Sequence, residues 1–324
     1  MTRFQKSLLS GCLLLLMLAM FSLFNGAHEL SVNTVINTLL YAGDQDFIVN
    51  HYRLPRLFIA ILVGMGLAIS GVLTQAIIRN PLASPDLMGI SGGAGLAACT
   101  VLLTQPDLDP IWLPVIALLG GFTAALTIWW LNTRHQPTPA RLALVGIAIS
   151  AFLSSCINFL LVLYPIEVNS ALIWLTGSLW GRNWDYVWPL LPWLLTLVPF
   201  SYYLAWRLDL FALGNETATA LGVNTQRLQI MALLTAVVLA SVSVAVCGTI
   251  GFVGLLAPHL ARLLVGSQHK LMLPVAALIG ALLVLSADTL ARNVAPPLEL
   301  PAGVLTAILG APYFIFLLHR YKGW

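Results

Sequence analysis

Nine long stretches without a charged residue constrain the fold of this chain more than any other feature. A helix crosses the hydrocarbon core of a bilayer with about 20 apolar residues, and eight of the stretches, of 17 to 23 residues each, have the length of one crossing. Only 8% of the residues are charged, whereas a soluble domain has about 25%. The chain is therefore predicted to be an all-α integral membrane protein, which excludes a soluble enzyme. The stretches are 7–24, 57–78, 87–104, 111–131, 142–164, 186–206, 228–258, 271–287 and 300–318.

The remaining stretch, 228–258, is too long for one crossing. Its 31 residues would form a helix of about 46 Å, which exceeds the membrane even with tilt. Gly248, Gly251 and Gly254 offer a natural break, so two spans are predicted here and ten in all. The chain is then one transmembrane domain, 1–324. The predicted spans are about 7–24, 54–78, 88–104, 111–131, 142–164, 187–206, 228–248, 250–266, 271–291 and 301–319.

The distribution of positive charge supports ten spans with both termini in the cytoplasm. Eleven Lys and Arg residues then lie inside and four outside, in agreement with the positive-inside rule. Merging the two spans of 228–266 would place four of the inner residues outside. The formal net charge of +3 is too small to indicate a nucleic-acid partner. The four outer residues are Arg53, Arg56, Arg182 and Arg292.

Ionisable residues are missing from the middle of every predicted span. Pumps and ion-coupled carriers place such residues in the membrane to coordinate or relay ions, so a proton- or sodium-driven carrier is disfavoured. The sequence contains no GxxxxGK[ST] phosphate loop and is not itself an ATPase. If the protein transports uphill, we expect the energy to come from another subunit, and we expect this chain to bind no cofactor or metal.

The cytoplasmic segment 207–227 contains signals for one short helix. Asn215 is a good N-cap, Glu216 is favourable in the first turn and Gly222 is a good C′ residue. A helix of about seven residues does not stand alone in water, and something must cover its apolar side chains. It either folds back on the inner surface of this chain or docks on a soluble subunit, and both interpretations stay open on these residues alone. The apolar side chains are Leu210, Phe211, Leu213 and Leu221.

Small residues cluster in the second predicted span, at Gly64, Gly66, Ser70 and Gly71. Such faces mainly permit close packing of helices, but they also could border a transport pathway. A faint repeat links this span to the one that starts at Arg227, and the two run in opposite directions, as an inverted repeat requires. Chance explains so sparse a match equally well.

Six segments together resemble the permease family of bacterial ABC importers for iron–siderophores, ferric citrate, haem and vitamin B12, the FecCD type. The resemblance implies a cobalamin-permease-like (type II ABC importer) fold with ten spans and an inverted repeat, in the bacterial inner membrane. It also implies three partners: a dimer of ATPase subunits that use ATP and Mg²⁺, a second permease subunit, and a periplasmic substrate-binding protein. The segments are 52–57, 64–71, 79–86, 213–222, 251–259 and 300–312.

The resemblance also implies roles for particular residues. It assigns the segment 207–227 to coupling with the ATPase, and the segment 132–141 to an inner gate loop with Pro137, Thr138 and Pro139. It matches Arg53, Arg56 and Arg292 to arginines that dock the binding protein, with local pairing to Asp44, Asp46, Asp288 or Glu299 as the alternative. It leads us to expect the pathway on a subunit interface near the small residues of the second span. The implied coupling residues are Leu213, Gly214, Asn215, Glu216, Ala218, Leu221 and Gly222.

The substrate is predicted from one stretch, 169–182, which most resembles the ferric-citrate and siderophore branch of the family and, within it, the second permease subunit of ferric-citrate importers. That branch often pairs two different permeases, so a heterodimer is favoured over a homodimer. Vitamin B12 or haem import is the alternative within the family. A secondary carrier is the alternative outside it.

Overall fold

The computed structural model describes residues 2–26, 30–41, 43, 45–133, 139–294 and 298–320, and in these ranges the chain folds mainly into helices. A π-helical turn, Phe47–Arg53, leads into α3, and 3₁₀ turns at Pro85–Met88 and Pro110–Trp112 precede α4 and α5. The α-helices α1 to α13 are Arg3–Phe24, Val32–Tyr41, Leu54–Ile78, Ile90–Thr104, Leu113–Thr133, Pro139–Leu163, Val168–Leu175, Trp184–Phe211, Asn215–Ala220, Thr225–Cys247, Val253–Val265, His269–Asn293 and Ala302–Arg320.

Each predicted span coincides with one helix: α1, α3, α4, α5, α6, α8, α10, α11, α12 and α13. Among the described residues, seven helices are long and apolar enough to cross a membrane, and three shorter apolar helices, α4, α11 and α13, accompany them. The 13 residues of α11 extend about 20 Å, less than the hydrocarbon thickness of about 30 Å. The all-α membrane fold is confirmed, whereas ten complete crossings remain a prediction, as does the inverted repeat.

The predicted break in the long apolar stretch is present. Helix α10 ends at Cys247 and α11 begins at Val253. Gly248 turns the chain with φ +74°, and a Cβ there would lie 2.1 Å from the carbonyl oxygen of Trp174. Only glycine combines this backbone angle with so close an approach, which is why the stretch divides at this point.

Helix α3 lies at the centre of the bundle, packed by α8, α10, α11 and α12. Its most apolar window is 78% buried inside the chain. A Cβ on Gly64 would lie 2.3 Å from the carbonyl oxygen of Gly280 in α12, and one on Gly71 would lie 1.9 Å from that of Gly254 in α11. Small residues at these positions let three helix backbones meet closely.

Helices α1 and α6 lie at the periphery and leave most of their apolar surface uncovered. The apolar windows of both are only 11% buried. Apolar side chains such as Leu9, Leu13, Phe152 and Val162 are more than half exposed, which in water would be unfavourable. Lipid or further protein must cover these faces, as expected for a multi-pass membrane protein.

Candidate functional site

The small residues of α3 face other helices of the same chain. Ser70 Oγ donates a hydrogen bond to the carbonyl oxygen of Ala236 at 2.6 Å, and a Cβ on Gly66 would lie 2.6 Å from Ser243 Oγ. Gly64 packs against α12 and Gly71 against α11. All four small residues of α3 are therefore buried. These four positions pack against helices of the same chain, which favours the packing alternative, and their place near a subunit interface along the pathway stays a prediction.

The N-terminal end of α3 carries a buried ion cluster around Arg56. Its Nη2 lies 2.8 Å from Asp288 Oδ1, and its Nη1 lies 2.6 Å from Glu299 Oε2. The Tyr52 hydroxyl accepts a hydrogen bond from the same Nη1 at 2.9 Å and donates one to Glu299 at 3.0 Å. The Arg56 side chain is only 2% exposed. The ion pairs therefore fix the end of α3 to the end of α12 and to the segment before α13.

Arg53 and Arg292 are buried beside this cluster. Arg292 Nη2 donates to Ser22 Oγ at 2.6 Å, and its Nε lies 3.4 Å from Asp288. Arg53 Nη1 donates to the carbonyl oxygens of Leu23 and Phe24 at the end of α1. All three arginines are therefore buried with local partners, namely helix-end carbonyl oxygens, Ser22 and the carboxylates Asp288 and Glu299, as in the alternative of local pairing. Their role in docking the binding protein stays a prediction.

At the opposite end of the bundle, α9 forms the predicted short helix of segment 207–227. The backbone N–H groups of Gly222 and Val223 donate to the carbonyl oxygens of Thr219 and Ala218, both at 2.9 Å, and Gly222 has φ +84°. This pair of hydrogen bonds is the Schellman motif, which ends a helix at a glycine, so the C′ role of Gly222 is confirmed. Glu216 lies in the first turn, as predicted.

Two details of this helix differ from the prediction. The N-cap is Gly214, with φ +108°, because the side chain of Asn215 is turned toward Arg79 instead of capping. Leu213 and Leu221 are 60% and 55% exposed, as predicted, but Phe211 is buried against the bundle. Fewer apolar side chains around α9 are therefore uncovered than predicted, and the two most exposed, Leu213 and Leu221, flank the helix.

Arg79 links this helix to the core, a role that sequence analysis missed. The residue ends α3 in the left-handed conformation, with φ +53°. Its Nη2 donates to Asn215 Oδ1 at 2.5 Å and to the carbonyl oxygen of Phe211 at 3.0 Å, while its guanidinium stacks over the Phe211 ring at 4.1 Å. Partial burial lowers its pKa, although arginine keeps its charge in proteins. The sequence marks Arg79 only as an inner positive charge.

The predicted gate loop is mostly outside the described residues. Pro137 and Thr138 lie there, and Pro139 begins α6. Further along α6, Ser154, Ser155 and Asn158 form a polar stripe on the exposed face. Among the described residues, no group of three His, Cys, Asp or Glu side chains could hold a metal ion.

A bundle of apolar helices around a central α3, with a short capped helix exposed at one end, is the architecture of a multi-pass membrane protein. The chain belongs to the FecCD transport family, whose profile matches residues 14–320. Its fold resembles a chain of an inward-facing ABC transporter assigned to the metal-chelate type, with a TM-score of 0.88, 32% identity and coverage of 98% of this chain and 99% of that chain.

Two curated relatives match almost the whole length. The Fe(3+)-citrate import system permease protein YfmE of Bacillus subtilis is 48% identical, over 98% of this chain and 97% of that protein. The Fe(3+) dicitrate transport system permease protein FecD of Escherichia coli is 45% identical, over 97% of this chain and 96% of that protein. The family resemblance expected from the six segments is thereby confirmed.

Proposed function

We propose that this chain is the transmembrane permease subunit of an ATP-driven importer that carries a ferric chelate, ferric citrate or an iron–siderophore, from the periplasm to the cytoplasm. The observation that carries this proposal is the near-complete match, at 48% and 45% identity, to two proteins named as ferric-citrate permeases. The proposal includes an inner-membrane location with both termini in the cytoplasm.

In this proposal, ATP and Mg²⁺ are used by a dimer of separate ATPase subunits that docks on α9. Leu213 and Leu221 are exposed at the two ends of a helix of six residues, and exposed apolar side chains on the water side of a membrane protein favour a protein contact. The contact of Arg79 with Asn215 and Phe211 ties α9 to the end of α3. Movement imposed on α9 would therefore reach the central helix directly.

We propose that the transport pathway lies between this permease and a second permease, along the polar stripe of α6. Ser154, Ser155 and Asn158 are exposed on that face, and an amide in hydrocarbon without a partner is costly. Water or a second subunit at this face would remove that cost. The second subunit is proposed to be a different permease, with a second copy of this chain as the alternative. The proposed gate loop with Pro137, Thr138 and Pro139 precedes this face in the sequence, and its Pro139 begins α6.

The periplasmic binding protein is proposed to dock over the buried cluster of Arg53, Arg56 and Arg292. Asp288 and Glu299 lie against Arg56 and Arg292, and helix-end carbonyl oxygens accept hydrogen bonds from Arg53. Attraction between the basic residues at this end of the bundle and an acidic surface would guide docking more than it adds affinity. The arginines would act by holding the ends of α1, α3 and α12 in place beneath the contact.

Uptake measurements in a deletion strain test the proposal. The strain is complemented with this chain and its partner genes, and radiolabelled ferric citrate, ferric siderophores, haem and cobalamin are offered separately. We expect uptake of a ferric chelate that disappears when the phosphate-loop lysine of the partner ATPase is replaced. Uptake of cobalamin or haem alone would support the alternative substrates instead. Uptake that continues without ATP hydrolysis would identify a secondary carrier and refute the proposal.

A further inference from the structure

A cavity of about 290 Å³ lies at the end of the bundle opposite α9. Helix α10 begins just after α9 and ends at Cys247, and Cys247 lines the cavity. We call it the Arg182 cavity, and define it by Trp174 from α7, Ser178 and Arg182 from the loop before α8, and Tyr186 from α8. It is separate from the buried cluster around Arg56.

Arg182 brings a positive charge to this cavity, and the described part of the chain places no carboxylate against it. Its guanidinium stacks over the Tyr186 ring at 4.5 Å, and its Nε is buried without a hydrogen-bond acceptor. The neighbouring carboxylate, Asp185, accepts a hydrogen bond from Asn183 at 2.8 Å. Stacking therefore orients the guanidinium, while its Nε has no hydrogen-bond acceptor among the described residues.

Trp174 adds a second unused donor. The residue is 7% exposed, and its indole N–H is buried without an acceptor in the described chain. Buried donors in folded proteins nearly always have a partner. Two unpartnered donors on one cavity, one of them cationic, indicate that an oxyanion completes the site.

Close backbone contacts form the wall of the Arg182 cavity. Gly248 packs directly against the carbonyl of Trp174, and the Ser178 backbone N–H donates to the carbonyl oxygen of Cys247 at 2.8 Å. Gly177 and Gly181 both have φ +70°, which lets the loop turn on either side of Ser178 without strain. These contacts hold Trp174 and the loop that carries Arg182 against the end of α10.

We propose that the Arg182 cavity binds a carboxylate of the imported chelate, an inference that rests on the proposed import function. The guanidinium fork matches a carboxylate in a bidentate contact, and the indole N–H of Trp174 supplies a third donor. Aromatic walls with a few polar groups are typical of small-molecule sites. A phosphate of a membrane lipid presents similar oxygens, and the test separates these two sources.

The test measures equilibrium binding of radiolabelled citrate, iron-free and with Fe³⁺, to the full chain in phosphatidylcholine nanodiscs. Because hydrogen bonds to charged groups are the strong ones, we expect about tenfold weaker binding for Arg182→Gln and a loss of about threefold or more for Trp174→Phe. Arg182→Lys, which keeps the charge without the fork, should fall between Arg182→Gln and the unaltered protein. Arg207→Gln is the matched control, because Arg207 also stacks on an aromatic ring, that of Tyr203 at 4.4 Å, at the α9 end of the bundle; its binding should be unchanged.

Two results would overturn the assignment. One is citrate binding that is absent from the unaltered protein, or equal in Arg182→Gln. The other appears in nanodiscs that contain phosphatidylglycerol: if that lipid is retained in an Arg182-dependent manner and abolishes citrate binding, the cavity takes a lipid phosphate.

Uptake of ferric citrate by the complete importer separates this inference from the proposed function. If the unaltered importer moves no ferric chelate but citrate binding still depends on Arg182, the proposed import function is refuted and the proposed binding site is supported. If the unaltered importer is active and Arg182→Gln binds and transports normally, the site fails and the function stands.

Discussion

We expect the substitution Ala218→Pro to separate ATP hydrolysis from uptake while leaving the membrane bundle intact. Ala218 lies in the middle of α9 and is fully buried. Its backbone N–H donates to the carbonyl oxygen of Gly214 at 3.0 Å, and its own carbonyl accepts from Val223 at 2.9 Å. Proline removes the first bond and places its ring against the Gly214 carbonyl.

A proline inside a helix costs about 3 kcal/mol or more, which shifts a local equilibrium about 150-fold. Helix α9 has only six residues and no spare turns to absorb this cost, since so short a helix depends on its contacts with the bundle. The matched variant Ala218→Gly keeps the hydrogen bond and loses only the methyl group and helix propensity, about 1 kcal/mol. Its effect should be in the same direction and much smaller.

The assay reconstitutes the permease with its partner subunits and measures ATPase activity and ferric-chelate uptake in the same proteoliposomes. We expect Ala218→Pro to abolish the coupling between the two, with normal insertion and a normal thermal transition of the bundle. Ala218→Gly should retain most of the uptake. Full uptake by a well-inserted Ala218→Pro variant would refute the role assigned to α9.

Three further changes test other parts of the structure. Arg79→Gln should lower uptake several-fold in an inserted protein, and Arg79→Lys should not restore it, because a point charge cannot replace the stacked fork; equal uptake by both variants and the unaltered protein would contradict this. Asp288→Asn should destabilise the bundle by about 3 to 5 kcal/mol, because it leaves the buried Arg292 without a carboxylate and Arg56 with Glu299 alone, as measured by thermal unfolding against the exposed control Asp185→Asn. In a cysteine-free background, Ser155→Cys should react with aqueous thiol reagents while Ser70→Cys stays inert, and the reverse pattern would return the pathway to α3.

Much of the fold follows from local properties of the sequence. The break between α10 and α11 is predictable because the apolar stretch exceeds one crossing and contains glycines where it must turn. The short helix α9 is predictable because Glu216 and Gly222 are local end signals, which act through neighbouring backbone groups. The N-cap prediction at Asn215 failed because Arg79, distant in sequence, holds the side chain that capping would use.

The sequence by itself therefore determined the membrane environment, the helix positions and the division near Gly248, since each depends on composition and chain length over a single segment. Only the tertiary structure decided which surfaces are inside. The small residues from Gly64 to Gly71 indicate that another helix packs closely against α3. Only the tertiary structure shows that the neighbouring helices are α11 and α12 of the same chain. In the same way, Arg56 and Arg182 are both outer arginines in the sequence. One is neutralised by Asp288 and Glu299 and the other is left facing a cavity, because the position of a counter-charge depends on contacts between residues far apart along the chain.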